Sequence, residues 1–396
     1  MSNPLPPPPD HNGAHLSHVL TSAAAALGID ECSNRLNFPE AEISVVILAD
    51  GLGDAQLAAH SGHARFLAKT WRSAEASQVL DSGAPTTTAA SLASLGTGRP
   101  PGEHGLVGYD VLAPELGRVV NMLGRWDNDV APGTWQPHRT VFETAEAAGA
   151  NVLSCSRPKF RSSPLTRAAL RGGQFSGADT IERRFAAAAE WIDDQRPRSG
   201  TVQRGRPAPL LVYLYVDELD KTGHRAGTGS AAWLRMFETL DAAAQRLCRR
   251  LTDSYGNLAR VVLTADHGMI NLTESQRVDI SGRSDLLTDV AHTGGEPRFL
   301  HLYTDSPERA RGVTQRWSQA YGDQAWVLSR EEAVAEGWFG SVEARVLPRI
   351  GDVLVAAHAD IAFFHTDRTG TDTLKMVGQH GSLTEAERRV PLLQLI

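Results

Sequence analysis

The stretch Ile43-Ser-Val-Val-Ile-Leu-Ala49 runs directly into Asp50-Gly51, and its reading decides the fold. A continuous apolar run of β-branched character, without polar alternation, describes a strand buried on both faces, as in a parallel sheet. The Asp-Gly pair then ends the strand in a turn. The same arrangement recurs twice: Leu210-Leu-Val-Tyr-Leu-Tyr-Val216 leads into Asp217, and Arg260-Val-Val-Leu-Thr-Ala265 leads into Asp266-His267-Gly268. Between these two, a helix starts after Ser230, with Trp233, Phe237, Leu240, Ala244, Leu247 and Leu251 recurring at helical spacing. A further helix over 179–191 carries Ile181, Phe185 and Ala188 on one face, with Ile192 just beyond. Strands alternating with helices predict an α/β fold, a doubly wound and mostly parallel sheet with helices on both faces.

Outward from this frame, residues 1–15 include four consecutive prolines, Pro6 to Pro9, and read as a disordered tail. A helix is expected over 17–27, ended by Gly28, and the Arg-, Pro- and Gly-rich 196–209 reads as a solvated insertion. The stretch 279–365 mixes short strand-like pieces, such as Phe299-Leu-His-Leu-Tyr303, with a helix near 331–335. It reads as a small inserted α+β subdomain, or partial cap, in a catalytic core made of 16–278 plus 366–396.

Composition narrows the class. The 396 residues are 41% hydrophobic and 21% charged, enough for a large buried core. No run approaches the ~20 apolar residues that span a bilayer, so no membrane partner is expected. The segment from Leu16 to Leu27 lacks the cationic flank of a signal peptide, the first Lys or Arg being Arg35. Cys32, Cys155 and Cys248 are odd in number and far apart, which reads as reduced thiols in a cytoplasmic protein. A net charge of -7 argues against binding a nucleic-acid polymer.

In an open α/β sheet, ligands bind beyond the carboxyl ends of the strands. Asp50, the pair Asp217 and Asp220, and Asp266-His267 all fall at such ends. Asp220 and His224 stand four apart, so one helical turn aligns them; alone, that spacing suits a surface hydrogen bond as well as a metal site. Val377-Gly-Gln-His380-Gly-Ser382 adds a histidine on a loop before the apolar run 390–396. Mixed Asp and His ligation suits zinc, with manganese the alternative. Pro85-Thr-Thr-Thr88-Ala-Ala-Ser91 reads as a loop entering a helix, whose hydroxyls serve either as an N-cap or beside an anion held by the free amides.

Taken in order, Ala49-Asp50-Gly51, Pro85-Thr-Thr-Thr88, Thr97-Gly98 with His104-Gly105, Asp220-Lys-Thr-Gly-His224, Asp266-His267-Gly268 and His380-Gly381 resemble the alkaline-phosphatase superfamily. The resemblance is to its type I phosphodiesterase/nucleotide pyrophosphatase branch and covers about residues 43 to 396. It implies a two-metal hydrolase of phosphodiester or pyrophosphate bonds in a small-molecule phosphate ester, through a covalent phospho-Thr intermediate. Thr88 would be the nucleophile. Asp50, Asp266 and His267, with the Thr88 hydroxyl, would hold one divalent ion, expected to be zinc; Asp220, His224 and His380 would hold the other. Asp217 falls outside that set, as a group orienting a neighbour. A phosphomonoesterase or phosphonate hydrolase of the same superfamily is the alternative, and a non-catalytic metal- or nucleotide-binding protein a remote one. The branch carries an Asn about twenty residues after the nucleophile, where this chain has Tyr109. Tyr109, Trp126 and Arg161 are the candidate substrate contacts: a phenol donor, a stacking platform and a cation for the phosphate.

Overall fold

A computed structural model of the protein describes residues 4–124, 126–196 and 207–396. The three apolar runs become the strands Ile43–Ala49, Leu210–Val216 and Ala259–Thr264. They lie side by side in the middle of a seven-stranded sheet, with Ile43–Ala49 paired in parallel to both neighbours. Asn151–Ser156 and then Gln174–Gly177 extend the sheet in parallel on one side. On the other side Arg389–Gln394 runs antiparallel, between Ala259–Thr264 and the edge strand Ser77–Asp81. Every residue of Ile43–Ala49 and of Leu210–Val216 is buried, which explains why neither shows polar alternation.

The expected helices form at His18–Ala26, Ile181–Gln195 and Ala231–Tyr255. The last starts at Ser230, whose hydroxyl accepts a bond from the Trp233 amide and so satisfies one of the unpaired donors of the first turn. Its apolar positions Trp233, Phe237, Leu240 and Leu251 are fully buried. Most of the predicted solvated insertion, residues 197–206, lies outside the described residues.

Within 279–365 lies a four-stranded antiparallel sheet in the order Val290–Glu296, Phe299–Thr304, Val353–Ala357, Ala325–Ser329. It has an apolar cluster of its own around Leu300, Leu302, Trp317 and Phe363. Arg298 clamps this unit to the core. Its guanidinium donates to both oxygens of Glu387 at 2.8 and 2.9 Å and to the carbonyls of Ala357, Ala359 and Ile361. Both charged side chains are almost fully buried. Arg298→Ala leaves Glu387 as a buried, unpaired charge, and we expect a loss of about 3–5 kcal/mol, read by denaturant unfolding. A stability within 1 kcal/mol of the parent, on the order of an exposed pair, would show that the clamp does not couple the two parts.

One expectation fails on geometry. From Pro4 onward, residues 1–15 are not a tail free of the fold. Trp326 donates to the Pro4 carbonyl and Arg388 to the Pro7 carbonyl, at 2.9 and 2.7 Å. His15 then bridges to Asp81 and is fully buried. Prolines lack amide donors but keep their carbonyls, and donors from distant parts of the chain satisfy these.

Candidate metal centre and nucleophile

Strand order assembles the site. Asp50 follows the central strand, while Asp266 and Asp220 follow its two neighbours, so three carboxylates separated by up to 216 positions converge at the carboxyl ends of the strands. Asp50, Asp266 and His267 offer ligand atoms that all lie within 4.8 Å of one another. Asp220, His267 and His380 do the same. His224, one helical turn after Asp220, brings Nε2 to 3.2 Å from an Asp220 oxygen and 3.2 Å from His380 Nε2. His267 therefore borders both sets, with its ring stacked at 3.7 Å on that of His380. Its Nε2 lies 3.4 Å from Asp50 and 3.3 Å from the Thr88 hydroxyl, which associates it with the first set.

The imidazoles are oriented from behind. His224 Nδ1 faces the Gly378 carbonyl at 2.8 Å, His380 Nδ1 the Thr86 carbonyl at 2.7 Å, and His267 Nδ1 the Gly268 carbonyl at 3.0 Å. A carbonyl only accepts, so each Nδ1 must carry the proton, and each Nε2 presents a lone pair to the centre. The carboxylates are held similarly: the Tyr215 hydroxyl donates to Asp50, and the Gly51 amide donates to Asp266 at 3.1 Å. One oxygen each of Asp50, Asp220 and Asp266 is buried without a hydrogen-bond partner. Unpaired buried carboxylate oxygens are costly, and a divalent cation is the partner that satisfies them together with imidazole lone pairs. The donor set fits a divalent metal.

Electrostatics carry the same strain. Burial, then the charges of Asp266 and Asp220, pushes the Asp50 carboxyl well above the usual range. Burial would raise Asp220 too, but His224, followed by His380 and His267, holds it below that range. Burial and the neighbouring His267 and His224 keep His380 well below an ordinary imidazole.

Thr88 is the first residue of the buried helix Thr88–Thr97; Thr87 before it is extended. Each threonine of the run does something different. Thr86 donates its hydroxyl to the Ser382 carbonyl at 2.8 Å and accepts from the Gly381 amide at 3.0 Å, tying down the loop that carries His380. The Thr87 side chain makes no cap bond. Thr88 faces the cluster.

A cleft of about 310 Å³ opens from Asp220, His224 and His380 toward the inserted sheet. Tyr109 lines it, as does Glu296, with Leu300, Phe363, Phe364 and Met376 as its apolar wall. The other two proposed contacts do not reach it. Trp126 is buried, donates to the Met122 carbonyl at 2.7 Å and packs edge-on against Trp135, so its faces belong to the core rather than to a ligand. Arg161 is exposed, its guanidinium 4.8 Å over the ring of Phe175. Asp217 is engaged by Arg157 at 2.6 Å and by Lys221, outside the ligand cluster. Sequence reasoning missed Asp110 and Arg368, an ion pair in the cleft.

The sequence profile of the family described as type I phosphodiesterase / nucleotide pyrophosphatase matches residues 44–383, from the first core strand to just past His380. The chain belongs to that family. It is 23% identical over 202 residues to ectonucleotide pyrophosphatase/phosphodiesterase family member 3 of Rattus norvegicus. The match spans 49% of this chain but only 21% of that protein, and the Mus musculus counterpart gives the same values. Among solved structures, murine ectonucleotide pyrophosphatase/phosphodiesterase 5 superposes with a TM-score of 0.65 at 16% identity, covering 88% of this chain and 87% of that one. Phosphonoacetate hydrolase from Sinorhizobium meliloti 1021, in complex with phosphonoacetate, superposes with a TM-score of 0.66 at 19% identity, covering 90% and 91%. The fold is thus that of the alkaline-phosphatase superfamily. No helix among the described residues is long and apolar enough to cross a membrane.

Proposed function

We propose that the chain is a metal-dependent hydrolase of phosphodiester or pyrophosphate bonds in small molecules, working through a phosphoryl group carried transiently on Thr88. The observation that carries this reading is the Thr88 hydroxyl, 3.3 Å from His267 Nε2 at the start of a buried helix and beside two sets of orphaned ligand atoms. Asp50, Asp266 and His267 would hold one ion, and Asp220, His224 and His380 the other, with zinc suited to the mixed donors and manganese the alternative. When bound, the cations supply Lewis acidity that lowers the cost of ionising a hydroxyl and neutralises charge on the phosphoryl and leaving oxygens.

The chain's own residues do the rest. The helix placing Thr88 at its first position aims unpaired amides and the positive end of its dipole at the phosphoryl oxygens. Its hydroxyl attacks phosphorus as the ester oxygen departs, and water then cleaves the Thr88 phosphoester. The Nδ1 bonds of the three histidines fix the rings, so little reorganisation accompanies the step.

Substrate class follows from what surrounds Thr88. A monoester dianion carries one more charge than a diester and calls for an extra cation, but Ala89-Ala90-Ser91 follow the nucleophile. Arg368 in the cleft is already paired with Asp110. The apolar wall offers room for a second substituent. We therefore expect kcat/KM for bis-p-nitrophenyl phosphate to exceed that for p-nitrophenyl phosphate, and Tyr109→Asn to change the ratio. A preference for the monoester would reassign the chain as a phosphatase. Phosphonoacetate in the same panel, read by release of phosphate and acetate, tests the second reading, hydrolysis of a C–P bond, which the shared fold with phosphonoacetate hydrolase favours.

A further inference from the structure

Glu296 ends the edge strand of the inserted sheet and points into the site already described. It is 5% exposed, and neither carboxyl oxygen has a hydrogen-bond partner. The backbone closes on it tightly: a Cβ on Gly381, next to His380, would stand 2.3 Å from Glu296 Cγ. Two residues before Glu296, a Cβ on Gly294 would stand 2.7 Å from the Asp110 carbonyl, beside Tyr109. The Thr87 hydroxyl and the Tyr109 amide approach its carboxyl and favour the ionised form, against the larger effect of burial, although neither makes a hydrogen bond of good geometry to it. Thr87 immediately precedes Thr88, so Glu296 faces the region over the helix start where an anion would sit. The arginines that could balance it are taken, Arg298 by Glu387 and Arg368 by Asp110.

A buried carboxyl unbonded at both oxygens, in a cleft that opens on the reaction centre, is set up for a ligand rather than for the fold. We propose that Glu296 is a substrate-contacting group that donates a hydrogen bond to a non-bridging oxygen of the phosphoryl group held over Thr88. The inserted sheet then contributes directly to the site, and this assignment rests on the hydrolase reading above. An ionised Glu296 would repel that oxygen, since like charges in contact oppose one another. The surroundings favour the neutral acid: burial, and after it the charges of Asp110 and Glu387, raise the group to about 8.

The test compares Glu296→Gln, which keeps a donor of the same shape, with Glu296→Met, which keeps the volume and loses the donor. With the metal-loaded protein and bis-p-nitrophenyl phosphate, we expect Glu296→Gln to stay within about threefold of the parent kcat/KM. Glu296→Met should fall about 100–1,000-fold, as for loss of one oxyanion donor, with metal content unchanged. Orthovanadate, a phosphoryl mimic, should bind the parent and Glu296→Gln alike and Glu296→Met at least tenfold more weakly. Parent-like activity and vanadate affinity in Glu296→Met, or equal losses in both variants, would overturn the assignment. The vanadate arm does not depend on turnover, so a parent inert toward every ester would defeat the hydrolase reading while leaving the Glu296 contact separately measured.

Discussion

Thr88→Ala is expected to abolish turnover of activated phosphodiesters, by about 10⁴-fold or more on the scale seen when catalytic nucleophiles are removed, while bound metal stays near the parent level. The contrast with its neighbours makes the prediction sharp. Thr87 caps nothing with its side chain, so Thr87→Ala should cost far less. Thr86 holds the His380 loop through Ser382 and Gly381, so Thr86→Ala should lower metal content and activity together. Kinetics and elemental analysis on the three variants separate nucleophile, bystander and loop anchor. A dead Thr87→Ala beside an active Thr88→Ala would shift the register by one residue and displace the proposed nucleophile.

The second large effect is expected on metal removal. Prolonged chelation should abolish activity, and the parent as purified should hold close to two equivalents of transition metal, mainly zinc. Without cations, Asp50, Asp220 and Asp266 face one another with buried oxygens unpaired, and the chain should melt at a lower temperature. Asp50→Asn removes one of these charges; we expect it to melt higher than the chelated parent, yet to stay inactive when metal is returned. Activity that survives chelation, with no metal found by elemental analysis, would remove the metal centre from the proposal.

The central strands and their terminal acids were legible in the sequence because the signals are local. A β-branched run ended by Asp, or an Asp and a His one helical turn apart, depends only on nearby residues. Trp126 was misread for the converse reason. An aromatic beside charged residues resembles a surface platform until Trp135 and the Met122 carbonyl, brought by tertiary packing, claim its ring and its N–H. The N-terminal segment looked free because proline cannot build regular structure, whereas its carbonyls find donors on Trp326 and Arg388, more than three hundred positions away. Glu296 was visible only as an acid after two glycines. Arg298, two positions on, pairs with Glu387 instead, a pairing that no short-range pattern encodes.

The placement of Arg389–Gln394 inside the sheet also has a kinetic side. Its partner Ser77–Asp81 lies some three hundred residues earlier, and contacts of such separation close late in folding, because a long loop must be ordered before the pairing rewards it. Until then Ala259–Thr264, nearly all of it buried in the finished fold, stands as a bare edge able to pair with another chain. The segment just before Arg389–Gln394 delivers His380. Folding intermediates should therefore be inactive and aggregation-prone at the same time, and the yield of active enzyme on refolding should fall steeply with protein concentration.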